Sequence, residues 1–270
     1  MSTDAAAATP APVPATAVPL PQSLAGATVM IAGGSSGIGL ATGTLLRTVG
    51  ARVVLVGRDP DRLATAADRV RKAGPAGERD AVLTVAGDAG DERTLAEVFD
   101  AAGHVDHAYV TASGHAAPGL LGELPDEGIR AAAADGMGRT FALARAAARW
   151  LPAGGSLTLS SGVLLARPVP GLSVTLAAGG AVEALTRALA VELAPARQRV
   201  NAVRYGAIDT PLMRSRPGME TDEAISAAGA SVPLGRFGTV EEAAAAALFL
   251  MSNPYVTGQI ITVDGGHVLG

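Results

Sequence analysis

The chain has 270 residues, 49% of them hydrophobic, which suits one α/β domain with a sizeable core. A formal net charge of −4 argues against nucleic acid or an anionic membrane as the main partner. Cysteine is absent, which excludes disulfides and thiolate nucleophiles, and the four histidines show no metal-ligand spacing. No uninterrupted apolar run reaches the roughly 18 residues that span a bilayer.

The first 22 residues, Met1 to Gln22, are dominated by alanine, proline, threonine and valine. They lack the basic start of a signal peptide, and their prolines interrupt any apolar core. Proline-rich composition of this kind predicts an extended, disordered tail. We therefore expect a tail over residues 1–22, a single folded domain over residues 23–270, and a cytoplasmic location.

After this tail, apolar strand patterns alternate with helical patterns. The first strand, Ala27–Ile31, leads into the glycine-rich segment Ala32–Gly39 and a helix from Leu40 to Val49. Further predicted strands cover Arg52–Val56, Ala81–Val85, His107–Val110, Ser156–Ser160, Arg199–Val203 and Gln259–Val263. Further predicted helices cover Pro60–Ala73, Asp91–Ala102, Glu127–Trp150, Ser173–Ala194 and Glu241–Met251. This alternation predicts a Rossmann-type, doubly wound parallel sheet with ligands at the carboxyl ends of its strands.

The segment Ala32–Gly39 stands in the context that a dinucleotide phosphate site requires, between a strand and a helix. Its glycines would let backbone N–H groups approach a pyrophosphate, and the helix N-terminus adds favourable partial charge. A plain turn is the alternative interpretation. The residues expected to contact a cofactor here are Gly33, Ser35, Ser36, Gly37, Ile38 and Gly39.

From about Ala25 to Gly270 the chain resembles the short-chain dehydrogenase/reductase family. The glycine segment is similar to the family's T-G-x-x-x-G-x-G motif, and Thr111–Gly114 to its N-N-A-G segment. Tyr205–Thr210 resembles the P-G-x-I-x-T loop that holds the nicotinamide carboxamide, and Thr257–Gly266 resembles the C-terminal strand and turn. The resemblance implies a nicotinamide cofactor, a small-molecule substrate and a homo-oligomer.

The same resemblance assigns further cofactor contacts: Asp88 to the adenine, Ala112 and Gly114 after the fourth strand, and Gly206, Ile208 and Thr210 near the nicotinamide. NAD-specific members carry an acidic residue at the end of the second strand, where it binds the ribose 2′-hydroxyl. Here that place is Gly57, followed by Arg58, whose guanidinium could pair with a 2′-phosphate. Asp59 could neutralise this arginine. We still predict a preference for NADP(H).

The catalytic residues of that family are mostly missing from this chain. The family uses an asparagine, a serine and a Tyr-x-x-x-Lys pair, in which the tyrosine is the acid or base. Ser161 falls in the serine place. Gly136, Thr175 and Gly179 stand in the asparagine, tyrosine and lysine places. Lys72, the only lysine, lies on an early helix, so the Tyr–Lys pair is absent.

Three residues are candidates to supply a proton instead. Ser161 can donate one hydrogen bond to a substrate oxygen, or it can simply bond to backbone at the end of its strand. Tyr205 replaces the family's proline, which would bring its phenol close to the nicotinamide, and packing on the cofactor is the alternative. His115 follows the fourth strand and could shuttle a proton, or it is a solvated loop histidine.

Three functions remain open on this evidence. The first is an NADP(H)-dependent oxidoreductase whose substrate needs little acid assistance, such as an iminium, an enone or a quinone. The second is a non-redox enzyme on the same scaffold, a cyclase, isomerase or dehydratase. The third is a catalytically silent nucleotide-binding protein that senses redox state or supports a partner. The cofactor motifs favour the first or third, and the retained serine favours an enzyme.

Deleting residues 1–22 is expected to leave the fold unchanged, because their composition cannot bury an apolar face. Thermal unfolding followed by circular dichroism checks this against the full chain. A fall in melting temperature of more than a few degrees would show that the tail docks on the domain.

Overall fold

The computed structural model describes residues 22–75, 78–111 and 118–270. The tail predicted over residues 1–22 lies outside this part of the chain except for Gln22. Three predicted site residues, Ala112, Gly114 and His115, also lie outside it.

Seven strands are described, and all of them pair in parallel in a single sheet. They are β1 (Thr28–Ala32), β2 (Arg52–Gly57), β3 (Val82–Ala86), β4 (His107–Val110), β5 (Ser156–Gly162), β6 (Arg199–Tyr205) and β7 (Ile260–Val263). Their order across the sheet is β3-β2-β1-β4-β5-β6-β7. The order reverses between β1 and β4, which opens a crevice for a ligand at the carboxyl ends of these strands. The predicted doubly wound parallel sheet is confirmed.

Eight α-helices are described along the same residues. They are α1 (Gly37–Thr48), α2 (Pro60–Ala73), α3 (Glu92–Ala102), α4 (Asp126–Trp150), α5 (Ser173–Glu192), α6 (Pro211–Arg214), α7 (Asp222–Gly229) and α8 (Val240–Ser252). Most limits agree with the sequence prediction to within two residues. The two helices that the prediction lacked, α6 and α7, are short, and each begins at a threonine whose side chain accepts a backbone N–H bond.

Apolar side chains alternate between the two faces of the sheet and divide the core into two layers. Met30 and Ala32 of β1 face the layer that holds α3, α4 and α5. Val29 and Ile31 of the same strand face the layer formed by α1, α2 and α8. Successive side chains of a strand point to opposite faces, so a strand buried on both sides is apolar along most of its length, as β1 is after Thr28.

Helix α5 is long and apolar enough to cross a membrane, judged by length and composition alone. This is weak evidence, because a core helix of a soluble protein satisfies the same criterion. In the structure α5 packs against α4, β5 and β6, and it carries Glu183, which is 7% exposed. The helix therefore serves the α/β core and brings a carboxylate to the sheet.

Candidate cofactor and active site

The glycine turn lets α1 approach the end of β1 very closely. Gly33 and Gly37 have φ angles of +89° and +51°, a region that favours glycine. A Cβ on Gly39 would collide with the carbonyl oxygen of Gly33 and would lie 2.8 Å from Oγ1 of Thr111. Only glycine therefore fits at position 39, in the first turn of α1.

The N-terminus of α1 offers unpaired donors. Ser36 caps the helix in an extended conformation, and its side chain makes no capping hydrogen bond. The backbone N–H groups of Gly37, Ile38 and Gly39 find no acceptor among the described residues. Free N–H groups at the positive end of a helix dipole fit an anion such as a pyrophosphate. The residues of this turn therefore fit the phosphates of a dinucleotide.

The end of β2 lies beside this turn. A Cβ on Gly57 would be 3.6 Å from the hydroxyl of Ser35, and Arg58, the next residue, is exposed. The carboxylate of Asp59 accepts the N–H groups of Asp61 and Arg62, at 3.0 and 3.1 Å, and so caps α2. No ion pair joins Asp59 to Arg58 in the described part of the chain.

Asp88 lies after β3, and its side chain is 41% exposed. Its carboxylate accepts the backbone N–H of Gly90 at 2.8 Å and the guanidinium of Arg139 at 3.3 Å. Arg139 on α4 also binds Asp135 at 2.9 Å. Arg139 was not among the predicted site residues, although its spacing of four residues from Asp135 on one helix indicated an ion pair.

The loop after β6 meets the glycine turn from the other half of the sheet. A Cβ on Gly37 would lie 3.7 Å from Cβ of Thr210, whose hydroxyl caps α6. Gly206 packs against Asp264, which follows β7, and leaves no room there for a side chain. Ile208 is 4% exposed and forms a bridge with Gly238. The structure therefore brings the two predicted cofactor segments together.

A cleft of about 360 Å³ extends outward from this junction. Ser36 and Gly37 line it on one side, and Asp209 and Thr210 on the other. Arg214 pairs with Asp209 at 2.7 Å, which holds the pKa of that carboxyl below its usual range through a direct hydrogen bond.

Ser161, Glu183 and Arg204 form a connected group, which we call the serine cluster. Ser161 on β5 pairs in register with Arg204 on β6, and Glu183 of α5 lies over both. The hydroxyl of Ser161 donates to Oε1 of Glu183 at 2.8 Å. The guanidinium of Arg204 donates to both carboxylate oxygens, at 2.8 and 2.6 Å.

The carboxylate of this cluster is ionised. Burial raises the pKa of Glu183, but hydrogen bonds from Arg204 and Ser161 outweigh burial, and the pKa lies below the usual value. Ser161 was predicted from the sequence as a site residue, whereas Glu183 and Arg204 were not. The available signal was a charge inside each of two otherwise apolar stretches, at Arg204 and Glu183.

The two positions that the family resemblance aligned with a tyrosine and a lysine, Thr175 and Gly179, lie on α5. Thr175 occupies the first turn of this helix, and its hydroxyl is buried without a partner among the described residues. Gly179 lies one turn later, where a Cβ would contact the side chain of Leu165 at 3.4 Å. No residue of α5 is a tyrosine or a lysine.

Tyr205 is not where the sequence analysis expected it. Its side chain is 8% exposed, its hydroxyl lies 2.6 Å from the hydroxyl of Tyr109, and it donates to the carbonyl of Ala243 on α8 at 3.2 Å. Tyr205 belongs to β6, so alternation turns it to the face opposite Arg204. We therefore correct the prediction that this phenol lies near the nicotinamide as a proton donor.

Comparison with known proteins gives consistent matches over nearly the whole chain. A family model described as enoyl-(acyl carrier protein) reductase matches residues 32–267. A short-chain dehydrogenase/reductase of Stachybotrys chlorohalonatus is 32% identical, over 92% of this chain and 99% of that protein. The glucose 1-dehydrogenase of Gluconobacter oxydans is also 32% identical, over 93% and 95%. The solved structure of the MalC reductase/Diels-Alderase from Malbranchea aurantiaca is 30% identical, with a TM-score of 0.82, over 93% and 99%.

The buried tyrosine pair predicts an unusual alkaline titration. Burial raises the pKa of Tyr109 to about 12 and raises that of Tyr205 well above 10. Because both values are raised, the stabilisation by the neutral pair is complete below about pH 10 and is lost as the pH rises toward 12. Tyrosinate absorbance near pH 10 should therefore lack the contribution of these two residues until the protein unfolds. Full tyrosinate absorbance at that pH, with native circular dichroism, would contradict this placement.

Proposed function

This chain belongs to the short-chain dehydrogenase/reductase family, and we propose that it is an NADP(H)-dependent oxidoreductase that reduces an activated substrate, an iminium, an enone or a quinone. One observation carries the proposal. The turn that fits a dinucleotide is complete, whereas α5 offers Thr175 and Gly179 in the places of the acid and its lysine. A protein that binds the cofactor but has no positioned acid is suited to a substrate that accepts hydride without being protonated at the same time.

The residues at the ends of β1, β2 and β6 would hold the cofactor. The N–H groups at the start of α1 would bind the pyrophosphate, and the loop Gly206–Thr210 would contact the nicotinamide. A bound nicotinamide supplies hydride to an electrophile. Arg58 is exposed beside this turn and Asp59 is engaged as a helix cap, which supports a preference for the 2′-phosphate of NADP(H).

The choice of an activated substrate follows from the acids that are available. Reduction of a simple ketone requires a proton at the developing alkoxide, and a positioned acid contributes about 10²–10⁴-fold to the rate. Tyr205 is engaged in the core, and the hydroxyl of Ser161 already donates to Glu183. A cationic or conjugated substrate accepts hydride without that assistance.

A cyclase on the same scaffold is the second candidate function. The solved MalC structure, similar over 93% of this chain, bears a title that names both a reductase and a Diels-Alderase. That name assigns a redox and a non-redox activity to one protein of this fold. In this chain the two candidates differ in whether NADPH is consumed.

We also propose that the chain forms a homo-oligomer through α4 and α5. Met137 and Phe141 of α4 are 38% and 46% exposed, and they lie beside Ala181 and Val182 of α5 around a shallow apolar depression. Apolar surface of this kind on two adjacent helices is suited to burial against another copy.

The proposed activity is tested by following NADPH oxidation with panels of iminium, enone, quinone and simple ketone compounds. We expect oxidation with at least one activated class. The product should carry two more hydrogens than an enone or quinone substrate, from hydride and a proton, and one more than an iminium cation, from hydride alone. A product isomeric with its substrate and no loss of NADPH would favour the cyclase. NADPH binding without turnover of any panel would favour a silent nucleotide-binding protein.

Arg58→Ala is expected to lower the preference for NADPH over NADH about tenfold, the effect of losing one charge-assisted contact at an exposed position. Calorimetric titration with both cofactors measures this ratio. Arg52→Ala is the matched control, since Arg52 begins the same strand at the end of the sheet away from the site. An unchanged ratio in Arg58→Ala, or wild-type protein that binds NADH as tightly as NADPH, would contradict the assignment.

Thr175→Tyr combined with Gly179→Lys is expected to raise turnover of simple ketones by at least about tenfold, because it restores a positioned acid. The backbone at position 179 accepts a side chain, since a Cβ there makes only ordinary contact with Leu165. Gly179→Lys alone is the control, because it adds the cation without the acid. Wild-type protein that already reduces simple ketones at about 1–10³ s⁻¹ would show that another acid is in place.

A further inference from the structure

The serine cluster fixes the direction of the hydroxyl that would face a substrate. A serine hydroxyl has one proton to donate and two lone pairs that accept. An ionised carboxylate can only accept, so the Ser161 proton points to Oε1 of Glu183. What Ser161 has left for any further partner is acceptor capacity.

The surroundings of Glu183 keep the hydroxyl in that direction. The side chain of Glu183 is 9% exposed, so a lost donor is not readily replaced by water. Arg204 holds both carboxylate oxygens and so prevents the carboxylate from turning away from Ser161. A neutral carbonyl oxygen competes poorly with a carboxylate for the same proton, because charge-assisted hydrogen bonds are about twice as strong as neutral ones.

The local charge admits a cation. Arg204 is compensated by Glu183, and Asp264 also acts on it electrostatically. The place where the family carries its lysine is Gly179, which brings no charge. Arg187 also acts electrostatically on Glu183, so the two arginines are balanced by the two carboxylates, and a positively charged group that approaches Ser161 meets no net positive charge from these four residues.

We propose that Ser161 binds the substrate as a hydrogen-bond acceptor, and that the substrate is an imine protonated on nitrogen, whose N–H donates to the serine oxygen. This inference rests on the proposed function and selects one of its three substrate classes. Enones and quinones present only acceptor oxygens to a site whose serine has no proton free for them. Glu183 acts as a positioning residue, since it orients Ser161 without touching the substrate.

Three bicyclic probes of similar shape distinguish the effects of an N–H donor, a positive charge and a carbonyl group on binding. Protonated 3,4-dihydroisoquinoline carries the charge and the N–H, N-methyl-3,4-dihydroisoquinolinium carries the charge alone, and 1-tetralone presents a carbonyl. Binding is measured by calorimetry in the presence of NADP⁺, so no turnover occurs, and again without it. We expect the N–H probe to bind about tenfold more tightly than either of the others, as one good hydrogen bond provides.

Variants of the serine cluster distinguish direct contact from a structural effect. Ser161→Ala is expected to abolish the advantage of the N–H probe over its N-methyl analogue. Glu183→Gln is expected to reduce that advantage, since an amide holds the serine proton less firmly, and Glu183→Asp is expected to restore part of it. A merely structural role for Glu183 would weaken all three probes in parallel.

The wild-type comparison needs no variant and decides the inference by itself. Tetralone binding as tightly as the N–H probe overturns it, and so does the absence of measurable binding of the N–H probe in the millimolar range. Reduction of enones or quinones without preference for the N–H probe upholds the proposed oxidoreductase and overturns this inference. Preference for the N–H probe without NADPH oxidation by any substrate panel upholds this inference about binding and overturns the proposed oxidoreductase.

Discussion

The candidate site depends on the close approach of α1 to the end of β1. Gly39 makes this approach possible, because a Cβ there would collide with the backbone of Gly33. The approach aims unpaired N–H groups at the carboxyl edge of the sheet, where Thr210 arrives from the opposite half. Two segments about 170 residues apart in the chain thereby form one surface. The reversal of strand order between β1 and β4 opens a crevice beside this surface.

The two halves of this surface follow the family pattern to different degrees. Around the glycine turn, the described residues agree with a dinucleotide site in backbone conformation and in free donors. Beyond β5, Ser161 is tied to Glu183 and Arg204, and α5 contains no tyrosine or lysine. A fold can keep the backbone of one binding surface while the side chains beside it vary.

Long elements were predictable from the sequence, because their apolar periodicity extends over whole strands and helices. The short α6 and α7 were not, since each depends on a threonine cap more than on a repeating pattern. Tyr205 was misplaced because β6 was predicted to end at Val203. The strand continues by two residues through pairing with β7, and this continuation decides which face the phenol takes. The serine cluster depends on strand register and helix rotation, which a single sequence does not encode locally.

The bond between the hydroxyls of Tyr109 and Tyr205 joins positions that lie 96 residues apart. Replacing one phenol leaves the other without this partner in the core, whereas replacing both with apolar side chains of similar shape is nearly neutral. The two positions are therefore energetically coupled, and the effects of replacing them are not expected to add. A chimera that joins the N-terminal half of this chain to the C-terminal half of a relative with proline at the end of β6 would keep Tyr109 and lose the hydroxyl that it contacts.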